Sequence, residues 1–215
     1  MELPIRDRAL AGRELALELA GYRGRGDVVV LGLPRGGVVV AEEIARALEA
    51  PLDVMLVRKL GVPEHRELAM GAIASGGVRI LNPEVVRQVD EEDVEAVARE
   101  EEEELERRQR AYRGNRPWPR LEGRTVLLVD DGLATGATMK AAIQAVRRLG
   151  ASRVVAVAPV GPWDTIQEIE ELADEVVCPA VPEPFYSISQ WYERFDQTTD
   201  EEVMEILART REEAP

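Results

Sequence analysis

The sequence predicts an α/β protein built on a mainly parallel sheet with helices on both faces. Three observations predict it. Short apolar runs such as VVVLGL (28–33), VLLV (126–129) and VVAVAPV (154–160) show no polar alternation, as expected of strands buried on both sides. Each run is followed by a stretch with helical spacing, the pattern of strand–helix–strand units. Glycine-rich loops sit directly after two of the runs, at LPRGG (33–37) and DDGLATGAT (130–138). In such sheets ligands bind beyond the carboxyl ends of the strands, near a topological switch point. Neighbouring positions for the two strands would turn both loops onto one crevice.

The elements follow in order. Ile5 to Ala20 carries apolar residues at helical spacing, and GYRGRGD ends the pattern. Asp27 to Leu33 reads as a buried strand, Val38 to about Glu49 as a helix, and Leu52 to Val57 as a second strand. RKLGVPEHRE reads as a loop. Ala69 to Leu81 reads as a hairpin about Ser75-Gly76-Gly77. Asn82-Pro83 opens a long helical stretch to about Tyr112, and RGNRPWPRLEGR is a proline-rich connection. Thr125 to Val129 is a buried strand, Thr138 to Leu149 a helix, and Arg153 to Val160 a strand. Trp163 to Ala173 is helical, and Glu175 to Cys178 is a last short strand. PAVPEPFYSISQWYERF is irregular and aromatic, and Asp200 to Arg211 closes the chain as a helix.

Composition bounds the function. The 215 residues are 45% hydrophobic and 32% charged, enough for a core and for one domain spanning 1–215. No apolar run spans a bilayer, and the N-terminus lacks the apolar stretch of a signal peptide. The single cysteine, Cys178, fits a reducing compartment, so a cytoplasmic location is expected. The net charge is −14, and Asp90 to Glu106 holds eleven acids against one arginine, so the acidity is local. A solvated helix face explains such a run better than a docking surface does. An acidic chain without a basic stripe points away from nucleic acid, and no membrane partner is expected.

The loop GLATGAT has the makings of an anion site. Gly132 and Gly136 allow close backbone approach, Thr135 and Thr138 add hydroxyls, and the following helix presents free N–H groups. Taken alone, it would equally suit a strand-to-helix turn with Thr138 as the helix cap. The adjacent Asp130 and Asp131 change that balance. A carboxylate beside a phosphate is repulsive unless something mediates, and the two candidates are sugar hydroxyls and Mg²⁺. A ribose 5-phosphate unit supplies both a phosphate and a diol.

VLLVDDGLATGAT resembles the signature of type I phosphoribosyltransferases, which bind phosphoribosyl pyrophosphate (PRPP). Val126 to Val129, Asp130, Asp131, Leu133, Thr135, Gly136 and Thr138 meet every constrained position. The resemblance implies that Asp130 and Asp131 hold the ribose hydroxyls and that Ala134, Thr135, Gly136, Ala137 and Thr138 wrap the 5-phosphate, beside Gly132. Leu33-Pro34-Arg35-Gly36-Gly37 is similar to the family's pyrophosphate loop, where some members carry a non-proline cis peptide. The chemistry agrees: Arg35 is cationic, and Gly36 and Gly37 precede a helix. Arg58-Lys59 is similar to a pair in adenine phosphoribosyltransferases, and Lys59 is one of only two lysines. The resemblance implies that a mobile loop from about Leu60 to Ala69 follows them. His65 and Glu67 in that loop are assigned no role.

The resemblance covers about residues 27–160, within a core of about 27–180. It implies a small hood over the acceptor, made by the acidic helix, the C-terminal aromatic segment or both. Phe185, Tyr186, Trp191 and Tyr192 could stack on a flat base or plug the C-terminal segment down. Hypoxanthine-guanine enzymes have an aspartate where this chain has Ala134, which argues against that acceptor class, whereas adenine-type enzymes share Ala-Thr-Gly.

The reading that follows is a Mg²⁺-dependent phosphoribosyltransferase with PRPP as donor and a nucleobase nitrogen as acceptor. Arg35, Lys59 and Asp131 are the candidate catalytic residues. Asp130 and Asp131 would meet the metal through water, and a homodimer is left open. The alternative is a non-catalytic PRPP or nucleotide sensor. A phosphoacceptor receiver domain fits less well, because Asp174, the downstream aspartate at a suitable distance, precedes a strand. No G-x-x-x-x-G-K-[ST] is present for a P-loop.

Overall fold

The computed structural model describes residues 1–212. Its main sheet has five parallel strands: β1 (Val28–Gly32), β2 (Leu52–Val54), β6 (Thr125–Val129), β7 (Arg153–Val157) and β8 (Glu175–Val177), in the order β2-β1-β6-β7-β8. The residues of β1 and β6 are all buried, as their apolar runs lead one to expect, and Thr125 at the start of β6 donates its hydroxyl to Asp27 at 2.9 Å. Alternate residues face opposite layers. Val28, Val30, Leu127 and Val129 pack under α1 (Arg8–Glu18) and α2 (Gly36–Leu48). Val29, Leu31, Val126 and Leu128 pack under α5 (Ala137–Arg148) and α6 (Trp163–Glu170). The chain leaves β1 toward β2 and leaves β6 toward β7, so the connections diverge between β1 and β6. That divergence is the switch point, and right-handed crossovers put α2 and α5 on opposite faces.

A second sheet of three antiparallel strands, β3 (Val57–Val62), β4 (His65–Ala74) and β5 (Val78–Leu81), stands beside the first. Val57, Ala74, Val78 and Ile80 pack with α5 on one side. Leu60, Met70 and Ile73 pack with α4 (Glu91–Arg113) and α7 (Asp200–Glu212) on the other.

Five expectations are corrected. Leu52 to Val57 is two strands, with Leu52–Val54 in the main sheet and Val57 opening the second. The stretch 58–67 is not a loop: it forms the β3–β4 hairpin around Pro63 and Glu64, and Glu64 has a φ of 64°. Its outer arm is solvated on both faces, so it carries charged residues and lacks the alternation that marks a half-buried strand. The helix after Asn82 is broken. A four-residue turn, α3 (Pro83–Val86), is capped by the Asn82 side chain, and α4 restarts after the extended Asp90. The strand from Arg153 ends at Val157, and the helix from Trp163 ends at Glu170. Among the described residues, no helix is long and apolar enough to cross a membrane.

Candidate active site

The carboxyl ends of β1 and β6 lie side by side, with Gly32 paired to Val129. The Leu33 N–H donates to the Val129 carbonyl at 2.8 Å. The loops 33–37 and 130–138 therefore meet at the switch point, as their sequence positions lead one to expect. They meet closely. A Cβ on Gly37 would stand 2.6 Å from the Val129 oxygen and 2.8 Å from the Asp130 Cα. One on Gly36 would stand 1.9 Å from the Asp131 Oδ2. The Pro34–Arg35 peptide is cis, a feature that some members of the resembled family carry at this loop.

The loop 132–138 is pinned from behind and open in front. The Leu133 N–H donates to the Val160 carbonyl at 2.8 Å, and the Thr165 hydroxyl donates to the Ala134 carbonyl at 2.8 Å. Gly136, with a φ of 67°, caps α5 in a left-handed conformation that disfavours a side chain. The cap is thus Gly136, and Thr138 lies inside the first turn. Ala134, Thr135, Ala137 and Thr138 are exposed around the start of α5. The Ala137 N–H makes a long hydrogen bond to the Thr135 hydroxyl at 3.4 Å, and the N–H groups of the first turn together with the helix dipole favour an anion at that end.

The two aspartates have different surroundings. Asp130 accepts from the Asp131 N–H at 2.9 Å, and its burial, together with the neighbouring Asp131 charge, pushes its pKa well above the usual carboxylate range. Asp131 is paired: the Arg8 Nε donates to its Oδ2 at 2.7 Å, with both side chains largely buried. Arg8 itself is fixed by the Asp196 carbonyl at 2.7 Å and lies 3.9 Å from the centre of the Phe195 ring. The Tyr192 hydroxyl donates to the Asp131 carbonyl at 2.7 Å.

The Asp130 shift has a consequence for stability. Below the ordinary aspartate pKa near 3.8 the group is protonated in both folded and unfolded chains and has no effect. Above it the unfolded chain releases the proton first, so the folded state loses stability as pH rises toward the raised value, and the penalty then persists. Asp130→Asn keeps an acceptor for the Asp131 N–H and removes the penalty. Thermal melts of the ligand-free protein should show the variant equal to wild type near pH 3.5 and more stable than wild type at pH 7, with a gap that widens between the two. A gap that does not grow with pH contradicts this account.

The predicted cations are placed unevenly. Arg35 borders the same cleft as the aspartates, a space of about 410 Å³, and its guanidinium lies 3.9 Å from the Asp200 carboxylate at the start of α7. Arg58 donates to Glu101 of α4 at 2.7 Å, and the exposed Lys59 lies 3.8 Å from Glu67. Neither is paired with the two loops among the described contacts. His65 is exposed. Of the aromatic candidates, Tyr192 is buried and Phe185 and Trp191 pack with Ile5 and Val160, so these three plug the C-terminal segment down. Tyr186 is 83% exposed. Burial pushes the Cys178 thiol up to about 12, which leaves it a poor nucleophile.

Sequence reasoning missed Arg8, Phe195 and Asp200. Arg8 lies 123 positions from Asp131, and parallel pairing of Ile5 with Tyr192 brings it there. No local motif could have signalled it.

The comparisons with known proteins agree with this geometry. Residues 3–190 match the model of the phosphoribosyl transferase domain family. Two proteins from Mycobacterium tuberculosis strains, provisionally named phosphoribosyl transferases, are each 52% identical over 205 residues. That alignment covers 94% of this chain and 46% of theirs, so the chain spans about half the length of the curated relatives it matches. The crystal structure of TT1426 from Thermus thermophilus superposes with a TM-score of 0.86 at 44% identity, covering 95% of this chain and 98% of that one. The AQ2163 protein from Aquifex aeolicus shares the fold, with a TM-score of 0.51 at 13% identity over 84% of this chain and 77% of its own. The family match covers most of the chain and runs through both crevice loops: the chain belongs to the phosphoribosyl transferase domain family.

Proposed function

We propose that the chain transfers ribose 5-phosphate from PRPP to a nitrogen of a nucleobase, releasing pyrophosphate. The observation that carries this reading is the direct contact of the 33–37 and 130–138 loops around an acidic pair. The exposed backbone and hydroxyls of Thr135 to Thr138 take the 5-phosphate at the start of α5. Asp130 and Asp131 accept from the ribose hydroxyls, so the donor is selected as a phosphorylated sugar. Arg35, with the N-terminus of α2, takes the pyrophosphate and stabilises charge building on it. Release from Glu101 and Glu67 would let Arg58 and Lys59 join it. The acceptor nitrogen forms a bond to C1 as the C1–oxygen bond breaks, and the electron pair leaves with pyrophosphate. The residues contribute position, charge stabilisation and exclusion of water.

Mg²⁺ fits this site as a hydrated ion carried by the donor. Among the described residues no cluster of three or more His, Cys, Asp or Glu side chains could hold a metal. Asp130 and Asp131 offer oxygen ligands that a divalent cation would relieve of their mutual repulsion, and Mg²⁺ commonly binds through one or two carboxylates, waters and substrate phosphates. When bound, it would neutralise charge on the leaving pyrophosphate.

The N-terminal segment and residues 185–200 form the hood in this reading, because they supply Arg8, Tyr192 and Phe195 beside Asp131. Ala134 presents no carboxylate to the acceptor, which favours an adenine-type base over hypoxanthine or guanine. The protein acts in the cytoplasm.

Replacing Asp130 and Asp131 together by asparagine is expected to weaken Mg-PRPP binding at least tenfold, since hydrogen bonds to charged groups contribute about 1.5–3 kcal/mol each. Unchanged affinity by calorimetry would remove the assignment. One observation favours a second reading, a PRPP sensor without turnover: Arg58 and Lys59 lie beside glutamates and away from the loops. Pyrophosphate release with a panel of nucleobases separates the two.

A further inference from the structure

Two carboxylates beside a phosphate loop need a counter-charge, and the fold supplies one that comes from neither loop. Arg8 sits at the start of α1, and its Nε donates to the Asp131 Oδ2 at 2.7 Å. Its Nη1 donates to the Asp196 carbonyl at 2.7 Å, and its guanidinium carbon lies 3.9 Å from the Phe195 ring centre. The side chain is 12% exposed, so this is not a loose surface pair. Three restraints from two distant chain segments hold one guanidinium, and that guanidinium holds one oxygen of Asp131.

The backbone around this contact is built to fit it. The Ile5 N–H donates to the Trp191 carbonyl at 2.8 Å, and the Glu193 N–H returns to the Ile5 carbonyl at 2.8 Å. Asp7 caps α1 by accepting from the Leu10 N–H at 2.8 Å, which fixes where Arg8 begins the helix. On the far side, a Cβ at Gly36 would stand 2.6 Å from the Arg8 Nε as well as 1.9 Å from the Asp131 Oδ2. The glycine of the 33–37 loop therefore leaves room for the ion pair.

We infer that Arg8 is a positioning residue for sugar recognition: it fixes Asp131 through Oδ2 so that Oδ1 accepts from a ribose hydroxyl. Arg8 itself does not take the phosphate. Freed of Arg8, the Asp131 carboxylate can rotate about χ2 and loses its cation, so it discriminates poorly between a sugar with both hydroxyls and one without. Phe195 is the platform that keeps the guanidinium flat and aimed. The inference rests on the reading of Asp131 as a ribose ligand.

The test compares calorimetric affinities for ribose 5-phosphate, its 2-deoxy and 3-deoxy analogues, and inorganic phosphate. Wild type is expected to prefer ribose 5-phosphate over at least one analogue by about tenfold or more, the worth of a charge-assisted hydrogen bond. In Arg8→Ala that ratio should fall below about threefold while affinity for inorganic phosphate is unchanged, and Arg8→Lys should recover part of it. A merely structural role would lower all four affinities together, and that outcome overturns the inference. So does an Arg8→Ala variant that keeps the full ratio, or one that binds ribose 5-phosphate more tightly. Wild type that ignores ribose 5-phosphate overturns the functional reading itself and this inference with it. Should Arg8→Ala lose its melting transition, Phe195→Leu carries the same test, with an unchanged ratio again decisive against the inference.

Discussion

Gly37→Ala is expected to lower affinity for Mg-PRPP by at least about a hundredfold, a loss of about 2.7 kcal/mol or more. The added methyl would stand 2.6 Å from the Val129 oxygen and 2.8 Å from the Asp130 Cα. Both are backbone atoms at the end of a fully buried strand, so no side-chain rotation relieves the clash. The start of α2 must move away from β6, and Arg35 and the helix N-terminus move with it. Overpacking of this kind costs about 1–3 kcal/mol, so the melting midpoint should also fall by several degrees. Gly36 is a useful contrast. There the nearest atoms are side-chain atoms of Asp131 and Arg8, which can turn aside, at the expense of their ion pair. Inorganic phosphate gives the control. The Thr135–Thr138 loop is anchored on Val160 and Thr165, away from Gly37, so phosphate affinity should stay within a few-fold of wild type. Mg-PRPP affinity within threefold of wild type in Gly37→Ala would show that the two loops act independently.

What the sequence made legible follows from how local each feature is. The buried strands, the loops at their carboxyl ends and the helix after each loop are encoded in runs of about a dozen residues, and the structure places them as read. Three kinds of feature were hidden. The outer arm of the β3–β4 hairpin, residues 65–69, is wet on both faces, and in β3 only Leu60 is fully buried, so residues 58–67 carry little periodic apolar signal beside Gly61 and Pro63. The break before α4 lies between Arg87 and the extended Asp90, and it is masked because Val85, Val86 and Val89 around it keep apolar residues at helical spacing. Arg8, Phe195 and Asp200 reach the crevice only because the two ends of the chain pair above it, through Ile5 and Tyr192. The aspartate pair was readable as an anomaly. Its resolution by an arginine 123 positions away was not, since only the tertiary fold makes those residues neighbours.

Arg113→Ala is expected to cost about 3–5 kcal/mol and to lower the melting midpoint by on the order of 10 °C. The Arg113 side chain is 1% exposed at the end of α4. It donates to both Asp53 oxygens, at 2.8 and 3.0 Å, and to the Pro117 carbonyl at 2.8 Å, and it lies 4.7 Å from the centre of a Trp118 ring. Truncation leaves the Asp53 carboxylate partly buried on β2 without its cation, and that orphaned charge accounts for most of the loss. The double variant Asp53→Val with Arg113→Met removes both charges and should recover most of the stability, because a buried pair often contributes little over apolar residues of similar volume. The damage should also reach the site in a directed way. Tyr112, the preceding residue of α4, donates to Asp200 at 2.5 Å, and Asp200 lies 3.9 Å from Arg35. Glu101, roughly three turns earlier in α4, holds Arg58 at 2.7 Å. A displaced α4 therefore disturbs the partners of both arginines, whereas the 130–138 loop is held by β7 and the segment after it: the Asp130 N–H donates to Val157, the Leu133 N–H to Val160, and the Thr165 hydroxyl to the Ala134 carbonyl. At a temperature where its melt shows it fully folded, Arg113→Ala should lose several-fold more affinity for Mg-PRPP than for inorganic phosphate. Equal losses for the two ligands would mean that α4 supports the fold without setting the Arg35 side of the crevice. A midpoint within 2 °C of wild type would mean that the Arg113–Asp53 pair is no anchor at all.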